Sequence, residues 1–75
     1  MKIFDSKSFG EKIKERRKSL GVTQEQLSAN TGISMSFISD LENGKPTCEL
    51  NKAIIIAKVL SMDIFIENRG ESERD

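Results

Sequence analysis

The sequence predicts an all-α domain of four helices followed by one short β-strand. Apolar residues recur at helical spacing in successive stretches that are separated by glycine or proline. A short turn containing Gly32 separates the second and third stretches. Residues Met62 to Glu67 instead alternate between two faces with a period of two, which is typical of a strand. With 75 residues, the chain is long enough for one domain.

Composition excludes several classes of protein. The chain has one cysteine and no histidine, which excludes an internal disulfide and nearly excludes a zinc site. No apolar run reaches the roughly 18 residues of a membrane span, and no signal-peptide pattern opens the chain. We therefore expect a cytoplasmic protein without a membrane segment. So small a domain buries only about 60% of its unfolded surface, and dimerisation is a usual remedy.

The charge is zero overall but unevenly distributed. From Lys7 to Lys18 there are six basic and two acidic residues, whereas residues 59–75 carry two basic and five acidic residues. A basic surface near the helical turn is what a contact with nucleic-acid phosphates requires. The alternative is that these lysines and arginines form the solvated face of a helix.

The first helix is predicted from its caps. Asp5 or Ser8 can cap its start, and Ser8 with Glu11 has the spacing of a capping box. The helix should extend to about Leu20, where Gly21 ends it.

The apolar stripe of this helix contains an arginine on its flank. Arg17 follows Ile13 by one helical turn, and a buried arginine needs a charged partner. Glu42 is the candidate, and the alternative is that Arg17 extends to solvent. The predicted stripe consists of Phe9, Ile13 and Leu20.

The second and third helices form a helix-turn-helix. They are predicted at about Gln24 to Asn30 and Met35 to Asn43, with Thr23 and Ser34 as their N-caps. Gly32 supplies the positive φ that ends the first of them. The alternative is a helical hairpin used only for packing. The apolar residues that fit this register are Leu27, Ile33, Ile38 and Leu41.

The fourth helix has more apolar surface than one core can cover. Gly44 and Pro46 interrupt the chain before it, and it should run from about Glu49 to Leu60. Three successive isoleucines, 54–56, cover about 200° of a helix. We infer a partner subunit on the surplus face, the alternative being an uneven core with one isoleucine exposed.

The strand predicted at Met62 to Glu67 has no obvious partner in the chain, apart from the short segment Lys2 to Phe4. An open apolar edge pairs readily with another chain, so we predict an antiparallel ribbon across a two-fold dimer. Residues 1–68 would then form the domain, and residues 69–75 a disordered tail.

From Phe9 onward the sequence FGEKIKERRKSLGVTQEQLSANTGISMSFISDLENGKPT resembles the Xre/Cro family of helix-turn-helix proteins. The resemblance covers about Phe9 to Leu60 and implies a lambda-repressor-like DNA-binding bundle of four or five helices. It implies a buried ion pair between Arg17 and Glu42. It also implies base contacts from the third helix, at Ser34, Met35, Ser36, Ser39 and Asp40. Gln24 and Asn43 match phosphate-contacting positions, and Thr23 and Lys45 are added from their places in the motif.

The tail is similar to that of HipB-like antitoxins. The helix KAIIIAKVL is followed at once by MDIFIEN, and those proteins dimerise through a fourth helix and a terminal strand. They also bind a HipA-like kinase toxin, which the resemblance makes a possible partner. The predicted dimer interface consists of Ile55, Val59, Met62, Ile64, Phe65 and Ile66.

These observations predict a dimeric, sequence-specific DNA-binding repressor with a palindromic operator, in particular a HipB-like antitoxin that regulates its own operon. A phage-type Cro-like repressor is one alternative. A helix-turn-helix module that binds protein and not DNA is another, supported by the zero net charge and by Asp40. An enzyme is not expected, because without histidine there is no Ser-His-Asp triad, and no cofactor is implied.

Overall fold

The computed structural model describes residues 2–69, and this part of the chain contains four α-helices. Helix α1 spans Ser6–Ser19, α2 spans Gln24–Thr31, α3 spans Met35–Glu42 and α4 spans Leu50–Val59. Helix α3 packs against α1 and α2, and α2 also packs against α4. The all-α prediction is confirmed, with helix ends close to the predicted residues.

One core joins the four helices. Ile13 of α1, Ile38 of α3 and Ile56 of α4 are fully buried within it. Leu20, predicted to continue the stripe of α1, is instead 45% exposed. The helix ends at Ser19, and Val22, beyond the turn, packs partly buried against the core. The buried core consists of Ile13, Leu27, Ile33, Ile38, Leu41, Ala53, Ile56, Ala57 and Leu60.

The start of α1 decides between the two predicted caps. A carboxylate oxygen of Asp5 accepts a hydrogen bond from the backbone N–H of Ser8 at 2.8 Å. The Ser8 hydroxyl in turn accepts one from the Asp5 N–H at 3.1 Å. The capping box therefore joins Asp5 to Ser8, and the predicted box between Ser8 and Glu11 is wrong because the helix begins earlier.

The end of α4 has contacts from two directions. Ser61 has a positive φ of 59°, and the N–H of Met62 donates to the carbonyl of Ala57 at 3.0 Å. This is a turn of the kind that usually contains glycine. Nε of Arg16 in α1 donates to the carbonyl of Leu60 at 3.0 Å, so a cation also lies at this helix end.

No β-ladder is formed within residues 2–69, and the residues after Met62 follow an irregular path. The strand of Met62 to Glu67 stays a prediction, since the partner it requires would be a second chain. Most of the predicted tail, residues 70–75, lies outside the described residues.

Candidate nucleic-acid interface

Helix α3 has one buried side and one exposed side. Ile38 and Leu41 face the core, whereas Met35 is 46% exposed and Ser36 is exposed beside it. The hydroxyl of Ser34 accepts from the N–H of Phe37 at 3.0 Å and caps the helix as predicted. The turn before it contains Gly32 at a φ of 75°. The start of α3, from Ser34 to Ser36, is therefore a capped helix end whose side chains are exposed.

The C-terminal half of α3 carries the predicted acidic residue. Ser39 and Asp40 are half-buried, and Nζ of Lys45 lies 3.4 Å from a carboxylate oxygen of Asp40. The backbone N–H of Lys45 also donates to the carbonyl of Asp40 at 3.0 Å. Because the pair is exposed, its contribution to stability is small. Its effect on the surface is larger, since the positive charge of Lys45 offsets the negative charge of Asp40.

The N-terminus of α2 lies beside the C-terminal end of α3. Thr23 and Gln26 form a reciprocal capping box, with hydrogen bonds of 3.0 Å and 2.9 Å. The side-chain amide of Gln24 donates to a carboxylate oxygen of Glu42 at 3.0 Å. This bond places Gln24 beside Asn43, which follows Glu42 directly in the chain. The first N–H groups of α2 and the end of α3 thus lie at one place, with the donors that an anion binds.

A buried ion pair between Arg17 and Glu42 stabilises the contact between the start of α2 and the end of α3. The guanidinium of Arg17 donates to both carboxylate oxygens of Glu42, at 2.6 Å and 2.9 Å, and to the carbonyl of Val22 at 2.9 Å. The two side chains are 9% and 2% exposed. The geometry is bidentate, which is the strongest form of such a pair. Arg17, Glu42 and Gln24 together join α1, α3 and α2.

The pKa of each member of the pair is shifted towards its charged form. The hydrogen bond to Glu42 raises the pKa of Arg17. Burial alone would raise the pKa of Glu42, but hydrogen bonds from Arg17 and Gln24 and the charges of Arg17 and Lys14 outweigh burial and lower it. Both groups are therefore charged at neutral pH.

Gly10 is a structural residue that the sequence analysis missed. A Cβ at this position would lie 2.1 Å from the carbonyl oxygen of Leu41 and 2.9 Å from that of Glu42. Helix α1 can approach the backbone of α3 this closely only because residue 10 has no side chain. A glycine inside a helix is the one signal that could have indicated the contact, because glycine is costly there without a packing reason.

The residues predicted to form the dimer interface lie in a different part of the molecule. Ile55 and Val59 form an exposed strip on α4, at 38% and 46%. Met62, half-buried, lines grooves beside α4 together with Ile64 and Phe65. Ile66 is 95% exposed. The structure therefore brings Met62, Ile64, Phe65 and Ile66 together along one groove, whereas Ile55 and Val59 do not line it.

Neither a membrane-spanning helix nor a metal-binding cluster is found in the described residues. None of the helices in residues 2–69 combines the length and the apolar character needed to span a bilayer. Over the same residues, no group of three or more cysteine, aspartate or glutamate side chains is placed to bind a metal ion.

Comparison with known proteins gives consistent matches. A family model described as helix-turn-helix matches residues 13–65. An uncharacterized HTH-type transcriptional regulator of Sinorhizobium fredii is 34% identical over 58 residues, which cover 77% of this chain and 76% of the relative. Another from Methanothermobacter thermautotrophicus is 41% identical over 58 residues, covering 72% of this chain and 84% of the relative.

Among solved structures, a chain of the HipB-O4 20mer complex has the same fold. The TM-score is 0.84 at 24% sequence identity, and the match covers 93% of this chain and 99% of that one. The likeness extends over nearly the whole length of both chains, including the residues after α4.

Proposed function

The chain belongs to the Xre/Cro-type helix-turn-helix family of transcriptional regulators, which are not enzymes, and from this premise we propose that it is a dimeric, sequence-specific DNA-binding repressor. The observation that carries the proposal is the exposed start of α3 at Ser34 to Ser36, in a helix whose other end is fixed by the ion pair of Arg17 and Glu42. Helices presented in this way enter the major groove with their first residues at the base edges. Since a repressor acts on its DNA, we place it in the cytoplasm.

The residues of α3 would read the bases. Met35 offers an apolar contact for the thymine methyl group, and Ser36 and Ser39 can donate or accept hydrogen bonds. Asp40 can accept from the amino group of cytosine. The negative charge of Asp40 should disfavour DNA binding less than the sequence alone indicated, because Nζ of Lys45 lies 3.4 Å from its carboxylate. Ser34 completes the proposed base-contacting residues at the cap of the helix.

Contacts to phosphate would come from the start of α2 and from the residues that follow α3, which lie together at the C-terminal end of α3. Thr23 and Gln24 lie at the N-terminus of α2, where backbone N–H groups favour an anion. Gln24 donates one amide hydrogen to Glu42, and its second is available for a phosphate oxygen. Asn43 and Lys45 follow α3 in the chain and complete the set.

The exposed end of α4 and the residues after it would form the dimer interface. Ile55, Val59 and Ile64 to Ile66 are large apolar side chains that the single chain leaves exposed, and covering them would favour association. Pairing of the 62–67 segments across a two-fold axis would satisfy their backbone groups as a ribbon. Two copies of α3 about 34 Å apart, or a multiple of this, would then fit a palindromic operator.

An antitoxin role is the finer form of the proposal. It is supported by the likeness of fold to a HipB chain over 93% of this chain, at 24% sequence identity. In this form the repressor would bind a HipA-like kinase toxin as well as its own operator. The neighbouring open reading frame tests this directly, since a kinase-like product would favour it and a phage lysis or integration cluster would favour a phage-type repressor.

Selection from a randomised duplex library tests DNA binding itself. We expect the chain to enrich a near-palindrome, and Met35→Ala to change the base preference at one position of each half-site. Gln24→Ala should weaken binding by a similar factor on all sequences, because phosphates carry no sequence information. Failure of the wild-type chain to enrich any sequence would favour the alternative of a protein-interaction module.

A further inference from the structure

Helix α1 carries cations to which the proposed function assigns no role. Six basic residues lie between Lys7 and Lys18, and three of them have partners. Lys12 pairs with Glu15 at 3.1 Å, Arg16 bonds to the carbonyl of Leu60, and Arg17 pairs with Glu42. The other three form no ion pair with any side chain of residues 2–69, and they are Lys7, Lys14 and Lys18.

These three lysines share one face of α1. With about 100° between successive residues, they lie within about 40° of one another, whereas Lys12 lies about 160° from Lys14. All three are exposed. Glu11 is the acidic residue on the same face, which leaves it with an excess of positive charge.

Lys7 lies beside the loop that follows α3. A Cβ added to Gly44 would be 2.8 Å from the Cα of Lys7, so the two backbones are in contact. The hydroxyl of Ser6 also donates to the carbonyl of Gly44 at 3.0 Å. Lys7 is therefore adjacent to Lys45, which follows Gly44 in the chain.

Lys14 lies near the place where α2 begins. It follows Gly10 by one turn of α1, and Gly10 packs against the carbonyl oxygens of Leu41 and Glu42. The charge of Lys14 also contributes to the lowered pKa of Glu42. Glu42 also accepts from Gln24, so Lys14 is on the side of α1 nearest to the start of α2. Because Glu42 makes its ion pair with Arg17, the charge of Lys14 is left for another anion.

We propose that Lys7 and Lys14 contact the phosphates of bound DNA, Lys7 beside Lys45 after α3 and Lys14 beside the start of α2. The inference rests on the proposed function and deepens it. Thr23, Gln24 and Asn43 are neutral, and Lys45 is paired with Asp40. The uncommitted positive charge that releases counterions from DNA would therefore come from α1.

The dependence of binding on salt tests this assignment. Fluorescence anisotropy would follow the binding of a mixed-sequence duplex of about 24 base pairs and of the selected operator, across a range of salt concentrations. For a dimer, Lys7→Gln or Lys14→Gln removes two contacts, and each should reduce the steepness of log K against log salt by about 1.8 on both duplexes. Lys14→Arg keeps the charge and should keep the slope.

Lys12→Gln is the matched control, because it removes the same charge from the opposite side of the same helix. Its slope should equal that of the wild type. The inference is overturned if Lys7→Gln and Lys14→Gln retain the wild-type slope, or if Lys12→Gln reduces it equally. Wild-type protein that binds neither duplex would refute the proposed function and this inference together. Thermal unfolding and sedimentation of each variant would show that fold and assembly are unchanged.

Discussion

The two ends of the molecule differ in how completely a single chain pairs their polar groups and buries their apolar side chains. Around α1, α2 and α3, buried polar groups have partners, as in the bidentate pair of Arg17 and Glu42. Around the end of α4, apolar side chains are exposed, with Phe65 at 78% and Ile66 at 95%. The first region is complete as a monomer, whereas the second presents surface that water solvates poorly.

This difference separates two requirements on one small chain. Reading bases requires side chains held in a fixed geometry, which a satisfied polar network provides. Assembly requires surface that is more stable when covered by another molecule. Substitutions in the first region should therefore affect the free energy of unfolding most, and those in the second should affect association most.

The largest effect is expected from Arg17→Met. It leaves the carboxylate of Glu42 buried without its cation, and loss of one partner of a buried pair costs about 3–5 kcal/mol. Chemical denaturation would measure the loss. The double variant Arg17→Met with Glu42→Leu should recover most of it, and a double variant no more stable than the single one would contradict this account.

Gly10→Ala should lower the free energy of unfolding by about 3 kcal/mol, since the new methyl group would overlap the carbonyl oxygen of Leu41 and force α1 away from α3. The exposed neighbour provides the control, because Glu11→Ala should change stability by no more than about 0.5 kcal/mol. Equal stability of the two variants would show that the helices can separate without cost.

Acid should act on the first region through Glu42. Its pKa is lowered in the folded chain, so its contribution to stability is fully present above the ordinary pKa of glutamate, near 4.3. That contribution is lost as the pH falls through the lowered value. Denaturation at a series of pH values should show this loss in the wild type and a weaker one in the Arg17→Met, Glu42→Leu double variant. Parallel curves would exclude Glu42 as the cause.

In the second region, Ile66→Asp should abolish the proposed dimer at micromolar concentration while the free energy of unfolding of the monomer changes by less than about 0.5 kcal/mol. Sedimentation would measure assembly. Leu20→Asp is the control, because it introduces the same charge at another exposed aliphatic residue, at the end of α1. This variant should leave the dimer intact. An intact Ile66→Asp dimer would remove the segment after α4 from the interface.

The smallest effect is expected from Ser61→Gly. Ser61 has a φ of 59°, where a side chain is strained, and glycine removes the strain but gains entropy in the unfolded chain. The net result should be a stabilisation of about 0.5 kcal/mol, seen as a small rise in Tm. Ser61→Ala retains the strain and should not stabilise, so an equal gain from both variants would locate the effect elsewhere.

The features that the sequence predicted well are local ones. Thr23 and Ser34 cap their helices, and Gly32 has the expected positive φ. Each of these depends on residues within about four positions, which a reader of the sequence can see. Leu20 was misplaced because its burial depends on whether another helix covers the last turn of α1.

The features that sequence alone could not supply join distant parts of the chain. Gln24 and Glu42 are 18 residues apart, and the contact of Gly10 with Leu41 depends on the crossing of α1 and α3. The proposed base and phosphate contacts are a further step removed, because they depend on a second molecule. For them, the structure supplies positions and exposure, and the experiments above supply the test.

Arg16 and Arg17, which are adjacent in α1, together restrict how that helix can rotate. Arg16 bonds to the end of α4 and Arg17 to the end of α3, about 100° apart around the helix axis. Because the two bonds leave different sides of the helix, rotation of α1 about its axis would strain both of them. In the proposed dimer, each protomer would therefore have a fixed angle between α3 and the interface at the end of α4. The fold of the single chain would then determine the spacing of the two half-sites before the protomers associate.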